Sequence, residues 1–303
     1  MSLTYTEVCK LTLEPSTHPR GRRFLTAASG LVRLGRRHYV VADDEQHLGV
    51  FDPATGGPVQ LVRLFDGDMP ESAKKRKKKK ADLESLLLLP PLPRCPGGAL
   101  LTLGSGSRPN RRRGALLGLD GVGALLGQVR VIDLEPLFEP LERRFDELNI
   151  EGALIADDDL VLLQRGNKGG PNATIRFACR EIEPWLLGEA DDAPRPRAVR
   201  EYDLGRVDGV AYAFTDATTL ADGGWLFSAV AEDTDNAYDD GACSGAAIGV
   251  VGTDGELRTI EPLLPRRKVE GIEARMVQGK VVVGMVTDAD DPDQPAEYGT
   301  ATL

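Results

Sequence analysis

The stretch Lys268-Val269-Glu270-Gly271-Ile272-Glu273-Ala274 places an acidic residue and then a small residue at the start of a strand-like run. Similar starts recur along the chain, and each is followed by further short apolar runs that are separated by turns. Repeats of about four short strands are typical of a β-propeller, because a single blade cannot bury both of its faces alone. The four earlier starts are Ser29-Gly30-Leu31-Val32, Leu83-Glu84-Ser85-Leu86-Leu87, Ile150-Glu151-Gly152-Ala153-Leu154 and Val207-Asp208-Gly209-Val210-Ala211. Five starts predict five blades.

The N-terminal residues 4–13 alternate as a strand does, although they precede the first start. The unit after Glu270 contains only three strand-like runs. We therefore predict that the N-terminal strand completes the last blade and closes the ring. The predicted fold is an all-β, five-bladed propeller in a single domain, residues 1–303, with blades at 29–65, 84–134, 151–204, 208–260 and 270–303 plus 4–13. Six blades are the alternative, since the segments 135–149 and 181–197 have room for further strands.

The composition is that of an acidic protein for which we expect a cytoplasmic location. The chain has 303 residues and a formal net charge of −10, so binding to nucleic acid or to an anionic membrane is not expected. No apolar run approaches the roughly 20 residues that a bilayer-spanning helix needs. The four cysteines are far apart and lack CxxC spacing, which predicts reduced thiols: Cys9, Cys95, Cys179 and Cys243.

Residues 74–80 form a continuous run of lysine and arginine. Like charges in a block repel one another and bury little surface, so we expect a mobile loop on the rim of the propeller. A polyanion contact and a localisation signal are the alternatives for this run.

The first polar residue of each start is expected to face the central channel, because the first strand of every propeller blade lines that channel. Neighbouring carboxylates there need compensation by protons, arginines or a cation, since charges about 4 Å apart repel by roughly 4 kcal/mol at an effective dielectric of about 20. An all-oxygen ring favours Ca²⁺, with Mg²⁺ as the alternative, over zinc. The other interpretation is a latch of hydrogen bonds between blades. The candidate metal ligands are Ser29, Glu84, Glu151, Asp208 and Glu270.

The loops after the second strands are expected to form a second ring, nearer the mouth of the channel. In the first blade this loop carries Asp43 and Asp44, which are candidate catalytic carboxylates. The loops of the fourth and fifth blades are acidic as well. Those of the second and third blades carry candidate ligands for an anionic substrate, although a salt-bridged rim is the alternative: Ser105, Arg108, Arg111, Arg165, Asn167 and Lys168.

The sequences at 29–45 and 268–273 resemble the first and last blade starts of the calcium-activated nucleotidases, the five-bladed propeller apyrases. That family carries calcium in its central channel and hydrolyses nucleoside di- and triphosphates. The starts are also similar to those of phytase-like propellers and of an uncharacterised family of bacterial propellers. The resemblance to the apyrases implies calcium ligation by Ser29, Glu84, Glu151 and Glu270, with Asp43 and Asp44 near the substrate.

Other catalytic templates do not match the sequence, which contains neither a Gly-x-Ser-x-Gly motif nor a Walker loop. The leading interpretation is a calcium-binding propeller that hydrolyses a phosphate ester or anhydride at the mouth of the channel. The alternative is a non-catalytic propeller that binds a small ligand or a protein partner.

Overall fold

The computed structural model describes residues 2–167, 170–233 and 242–303. Within these ranges the chain forms five mainly antiparallel sheets of at least four strands each. The first strand of each sheet contacts the first strand of the next sheet, and the fifth sheet returns to the first. The described residues therefore form a five-bladed β-propeller, as predicted.

The chain starts with β1 (Leu3–Thr4) and β2 (Thr6–Lys10). The first blade contains β3 (Ala28–Leu34), β4 (Arg37–Ala42), β5 (His47–Phe51) and β6 (Gln60–Arg63), and helix α1 (Ala73–Lys79) follows it. The second blade contains β7 (Leu83–Leu89), β8 (Ala99–Gly104), β9 (Arg113–Leu119) and β10 (Leu125–Asp133), with a 3₁₀ turn at Pro109–Arg111.

Helix α2 (Glu135–Glu142) leads to the third blade, which contains β11 (Ile150–Ala156), β12 (Asp159–Gln164), β13 (Asn172–Ala178), helix α3 (Cys179–Leu187) and β14 (Ala198–Tyr202). A small hairpin, β15 (Arg206–Val207) and β16 (Val210–Ala211), precedes the fourth blade of β17 (Ala213–Thr219), β18 (Trp225–Asp233), β19 (Ala242–Val251) and β20 (Leu257–Leu264). The fifth contains β21 (Val269–Val277), β22 (Lys280–Thr287) and β23 (Glu297–Thr302). Helices occupy the segments in which a sixth blade would need strands, so that alternative is wrong.

The apolar side chains form five clusters, each between two neighbouring blades. Tyr39 and Leu48 of the first blade, for example, share a cluster with Leu86 and Leu117 of the second. Helices α2 and α3 extend the cluster between the second and third blades through Phe138 and Trp185. Burial of both faces of every sheet is the main source of stability in this fold.

The N-terminal strands close the ring, as predicted. Strand β2 pairs with β23 in antiparallel register, with Thr6 opposite Thr300, and so becomes the fourth strand of the fifth blade. Strand β1 pairs in parallel with β20 of the fourth blade, with Leu3 opposite Leu263. The N-terminal residues therefore join two blades rather than one.

Each inner strand has a β-bulge near its start, which adds one residue at the level where the blades converge. The bulged residues are Ser29, Glu84, Glu151, Thr215 and Glu270. Four of these five residues were predicted for this ring. The prediction of Asp208 for the fourth blade was wrong, because Thr215 occupies that position. Asp208 lies at the turn between β15 and β16 with its side chain 68% exposed, because this hairpin resembles a blade start in sequence and precedes the real one.

The residue after four of the five bulges is glycine or serine, because the inner strands approach one another closely. A Cβ atom on Gly271 would lie 2.9 Å from the Cα atom of Gly30, and one on Gly152 would lie 2.8 Å from the Cα atom of Asp216. Asp216 occupies this position in the fourth blade, and its Oδ2 accepts a hydrogen bond of 2.9 Å from the Ile272 amide. Burial raises the pKa of Asp216 well above its usual value.

The lysine-rich run is not the loop that we expected. Its residues form helix α1, and Arg76 turns inward to lie 3.5 Å from the Asp44 carboxylate. Lys80, which follows the helix, reaches two carboxylates at the mouth of the channel. Arg76 and Lys80 thus tie the run to carboxylates of the propeller.

The four cysteines are all free thiols. Among the described residues, the helices are too short and too polar to cross a membrane.

We expect Tyr5→Ala to lower the free energy of unfolding by about 3 kcal/mol, because it empties a site in the interface between the last two blades. Tyr5 is 5% exposed and lies against Gly299. Val8→Ala is the control, since Val8 is 48% exposed in the neighbouring strand and should cost less than about 1 kcal/mol. Denaturant unfolding followed by circular dichroism measures both. Equal costs would contradict closure through the N-terminal strand.

Candidate functional site

Two sets of side chains meet at one mouth of the channel. One set comes from the starts of the inner strands and the other from the loops after the second strands. A backbone hydrogen bond ties the two sets together in four blades, from Asp43 N to Ala27 O, Ser105 N to Asp82 O, Arg165 N to Asn149 O and Asp288 N to Lys268 O, at 2.9–3.0 Å. The repeat therefore brings equivalent positions of different blades to one level.

Three carboxylates form a compact group between the first and second blades. Asp43, Asp82 and Glu84 each offer a carboxylate oxygen, and these oxygens lie within 4.8 Å of one another. The Lys80 ammonium is hydrogen-bonded to Asp43 and lies 2.6 Å from Asp82 Oδ1. Arg111 Nη1 donates to Asp82 Oδ2 at 2.7 Å, and Ser105 Oγ donates to the same oxygen at 2.5 Å. We call Asp43, Asp82 and Glu84 the carboxylate triad.

A second group of charges surrounds Lys268 and comes from the third, fourth and fifth blades. The Lys268 ammonium lies 2.6 Å from Asp290 Oδ1, 2.9 Å from Glu232 Oε1 and 3.5 Å from Glu270 Oε1. The guanidinium of Arg165 lies 2.5 Å from Glu232 and 3.5 Å from Glu151. Glu232 thus links both cations.

The mouth carries more carboxylates than cations. Within the described ranges, four cationic side chains lie within 4 Å of seven carboxylates, and Glu84 is an eighth carboxylate of the mouth. The cations are Lys80, Arg111, Arg165 and Lys268, and the carboxylates are Asp43, Asp82, Glu84, Glu151, Glu232, Glu270, Asp288 and Asp290. No ion pair within 4 Å reaches Glu84 from these described parts of the chain, so Glu84 is the one carboxylate of this set without a cationic partner.

Burial and mutual repulsion shift the titration of these groups. Burial is the main cause that raises the pKa of Glu84 well above its usual value, and the negative charges of Asp82, Glu151 and Asp43 raise it further. Burial likewise raises the pKa of Glu270 well above the usual value, and it raises that of Glu151 although Arg165 opposes it. Burial also opposes the charge on Lys80, yet Asp43 and Asp82 hold its pKa well above the usual value. The mouth favours additional positive charge, either as protons or as a cation.

Two ring residues donate hydrogen bonds to backbone carbonyls instead of joining the acidic mouth. Thr215 Oγ1 donates to the Val269 carbonyl of the next blade at 2.7 Å. Ser29 Oγ donates to the Ala27 carbonyl at 3.0 Å within its own blade. The ring thus contains carboxylates at Glu84, Glu151 and Glu270. At Thr215 it contains a hydrogen bond that joins two blades.

The predicted catalytic pair is split between two environments. Asp43 lies in the carboxylate triad, whereas Asp44 faces Arg76 at 3.5 Å and Arg20 at 3.9 Å. Burial, with Glu45 and Asp43, raises the pKa of Asp44 to about 6. Asp44 therefore belongs to a separate ionic cluster that attaches helix α1 and the N-terminal loop to the first blade.

The residues predicted to bind an anionic substrate lie in different places. Ser105, Arg111 and Arg165 lie in the mouth, where each is bonded to a carboxylate. Arg108 is exposed on the rim. Asn167 lines a cavity of about 270 Å³ with Arg144 and Gln164, and Lys168 lies outside the described residues.

Sequence reasoning missed Lys80, Asp82 and Lys268 as members of the site. A signal for two of them was present, because Asp82, Asn149 and Lys268 all stand two residues before a bulged glutamate. Lys80 had no such signal, since it belongs to the basic run.

A cavity of about 430 Å³ adjoins this site and is lined by Arg266, Lys268, Asp288 and Asp290, among others.

The fold and the mouth together define a five-bladed β-propeller with a buried, acidic channel mouth. The chain belongs to the family described as "Family of unknown function (DUF6929)", whose model matches residues 24–303. A search of the curated proteins gives no match.

The chain is similar in fold to several solved structures. These include a luciferin-regenerating enzyme, at 12% identity over 92% of both chains with a TM-score of 0.48. A gluconolactonase from Xanthomonas campestris matches at 12% identity over 91% of this chain and 72% of that one, with a TM-score of 0.44. A glycosyl hydrolase from Bacteroides ovatus matches at 10% identity over 93% of this chain and 84% of that one, with a TM-score of 0.45. These similarities concern the fold alone, and the resemblance to apyrases and phytase-like propellers finds no support among them.

In the presence of a chelator, we expect the free energy of unfolding to fall as the pH rises above about 5. Glu84, Glu151 and Glu270 have raised pKa values in the folded state, so each stabilises the fold below its unfolded pKa, near 4.5. That contribution is lost as the pH rises through the folded pKa, with a slope of about −1.4 kcal/mol per pH unit for each extra proton bound.

Denaturant unfolding at a series of pH values measures this slope. Glu84→Gln should flatten it, whereas Asp208→Asn, which changes an exposed carboxylate outside the mouth, should leave it unchanged. A wild-type stability that rises between pH 5 and pH 8 would contradict the assignment.

Proposed function

We propose that the mouth of the channel binds a divalent cation, calcium with magnesium as the alternative, at Asp43, Asp82 and Glu84. The observation that carries this proposal is the convergence of three carboxylate oxygens within 4.8 Å in a region with surplus negative charge. Calcium takes six to eight oxygen ligands, and backbone carbonyls, hydroxyls or water can supply those that a triad lacks. Histidine and cysteine are absent from the triad, so zinc fits poorly.

Charge balance supports a divalent ion at this place. Arg111 is buried against Asp82 and remains part of the site. Together with Arg111, a divalent ion balances the three carboxylates of the triad, whereas the single charge of Lys80 leaves one carboxylate uncompensated. Buried charges that lack compensation are costly, so the divalent ion is the more favourable partner.

Beyond cation binding, we propose that the protein hydrolyses a phosphate ester or anhydride at the same mouth. A bound cation would polarise a phosphoryl oxygen or lower the pKa of a bound water. Glu151, held by Asn149 Nδ2 at 2.5 Å, lies near the triad with a raised pKa and is suited to accept or deliver a proton. Asp43 would act as a ligand rather than as the base.

The second candidate is a cation-binding propeller without catalysis. Its support is that Arg111, Arg165 and Lys268 are all paired with carboxylates, so none of these three cations is available to hold a phosphate group. A substrate would have to be held by the cation itself or by Arg266 at the edge of the adjoining cavity.

We expect the chelated protein to bind about one calcium ion per chain and to melt at a higher temperature when calcium is added. Binding to the folded state alone adds about 2.7 kcal/mol at a hundredfold excess over Kd. Glu84→Gln should weaken calcium binding about tenfold or more, because it removes a charged ligand, and Asp208→Asn is the control that should bind as wild type does. Isothermal titration calorimetry and thermal melts provide the readouts. Absence of uptake, or equal affinity in both variants, would contradict the proposed site.

Turnover separates the two candidates. The calcium-loaded protein should hydrolyse nucleoside triphosphates or p-nitrophenyl phosphate, and Glu151→Gln should remove turnover while the calcium affinity changes little. If calcium binds and no phosphate compound is hydrolysed, the non-catalytic interpretation holds.

A further inference from the structure

Lys80 occupies the place that the proposed cation would take. Its ammonium is hydrogen-bonded to Asp43 and lies 2.6 Å from Asp82 Oδ1, and both are members of the carboxylate triad. The side chain is only 12% exposed, so it is largely enclosed by the mouth and is not a surface contact. An ammonium and a divalent ion cannot share these oxygens, because both need them at contact distance and they repel one another.

The position of Lys80 in the chain links this competition to helix α1. Lys80 directly follows the helix, and its amide donates to the Arg76 carbonyl at 2.8 Å, which makes it the C-terminal cap. Other contacts hold this segment as well: Arg76 lies 3.5 Å from Asp44, Lys79 Nζ donates to Asp68 O at 3.1 Å, Arg111 Nη2 donates to Lys77 O at 3.4 Å, and Asn110 Nδ2 donates to Lys80 O at 2.8 Å. Withdrawal of Lys80 from the mouth therefore pulls on the end of the helix.

Helix α1 has little stability of its own. It is seven residues long, has no acidic residue in its first turn and no side-chain hydrogen bond at its N-cap Ser72. Isolated helices shorter than about 12 residues are marginal in water, and its exposed lysines repel one another. Contacts with the propeller through Arg76, Lys77 and Lys80 hold it in place.

We propose that Lys80 is a built-in competitor for the cation site, and that cation binding expels it and loosens the basic segment 73–80. This inference rests on the proposed cation site and adds its regulation. The site then has two states: one in which the chain supplies its own positive charge, and one in which a divalent ion replaces it. Only the second state exposes the whole lysine-rich segment to solvent.

Limited proteolysis with endoproteinase Lys-C tests the loosening in the wild-type protein. Saturating calcium should speed cleavage within residues 74–80 about tenfold or more, while cleavage elsewhere slows because the folded state is more stable. Peptide mass spectrometry locates the cuts. If calcium binds and cleavage within 74–80 slows or stays unchanged, the inference is overturned while the cation site stands.

Calcium affinity in two variants tests the competition. Lys80→Met should tighten calcium binding about tenfold or more, because the competitor is gone. Lys78→Met is the matched control, since it removes the same charge from an exposed position in the same helix and should change the affinity less than about threefold.

The outcomes separate the two proposals. Equal calcium affinity in Lys80→Met and wild type would overturn the competition and leave the cation site intact. Binding in Lys80→Met but not in wild type would support the competition in its strongest form. Absence of binding in both proteins would overturn the cation site and, with it, this inference. Thermal melts with and without calcium confirm that each variant is folded.

Discussion

The five inner strands of this propeller approach one another closely around the axis, and the rest of the structure depends on that approach. Gly30, Gly152 and Gly271 lie where a Cβ atom would meet the backbone of a neighbouring strand at 2.9 Å or less. The bulge before each of these positions adds one residue at the same level. The packing that closes the ring therefore also places polar residues at the centre of the fold, where they are removed from bulk water.

The function we propose follows from the electrostatics of that arrangement. Buried carboxylates from different blades are brought together by the fold, and each raises the cost of ionising the others. Lys80 and Lys268 compensate part of this negative charge, and both stand just before inner strands. The remaining negative charge favours additional positive charge at the mouth, and Glu84 of the carboxylate triad has no ion pair within 4 Å among the described residues.

The sequence was sufficient to predict the architecture and much of the site. The polar–small motif identified four of the five blade starts and placed Glu84, Glu151 and Glu270 in the mouth, since the physical need for a small residue is local and repeated. The prediction of Asp208 was wrong because the β15–β16 hairpin has the same polar–small pattern as a blade start. The actual start of the fourth blade, Thr215-Asp216, has a carboxylate in the position where the other blades have a small residue. The ion pairs of Arg111, Arg165 and Lys80 could not be predicted, because they join residues that only the closed ring brings together.

A crystal structure at saturating calcium, with the ion identified by its anomalous scattering, tests the central claim most directly. We predict one ion within about 2.3–2.6 Å of carboxylate oxygens from Asp43, Asp82 and Glu84, with the Lys80 ammonium displaced from Asp82. Density without an ion at the triad, with Lys80 still bonded to Asp43 and Asp82, would contradict it.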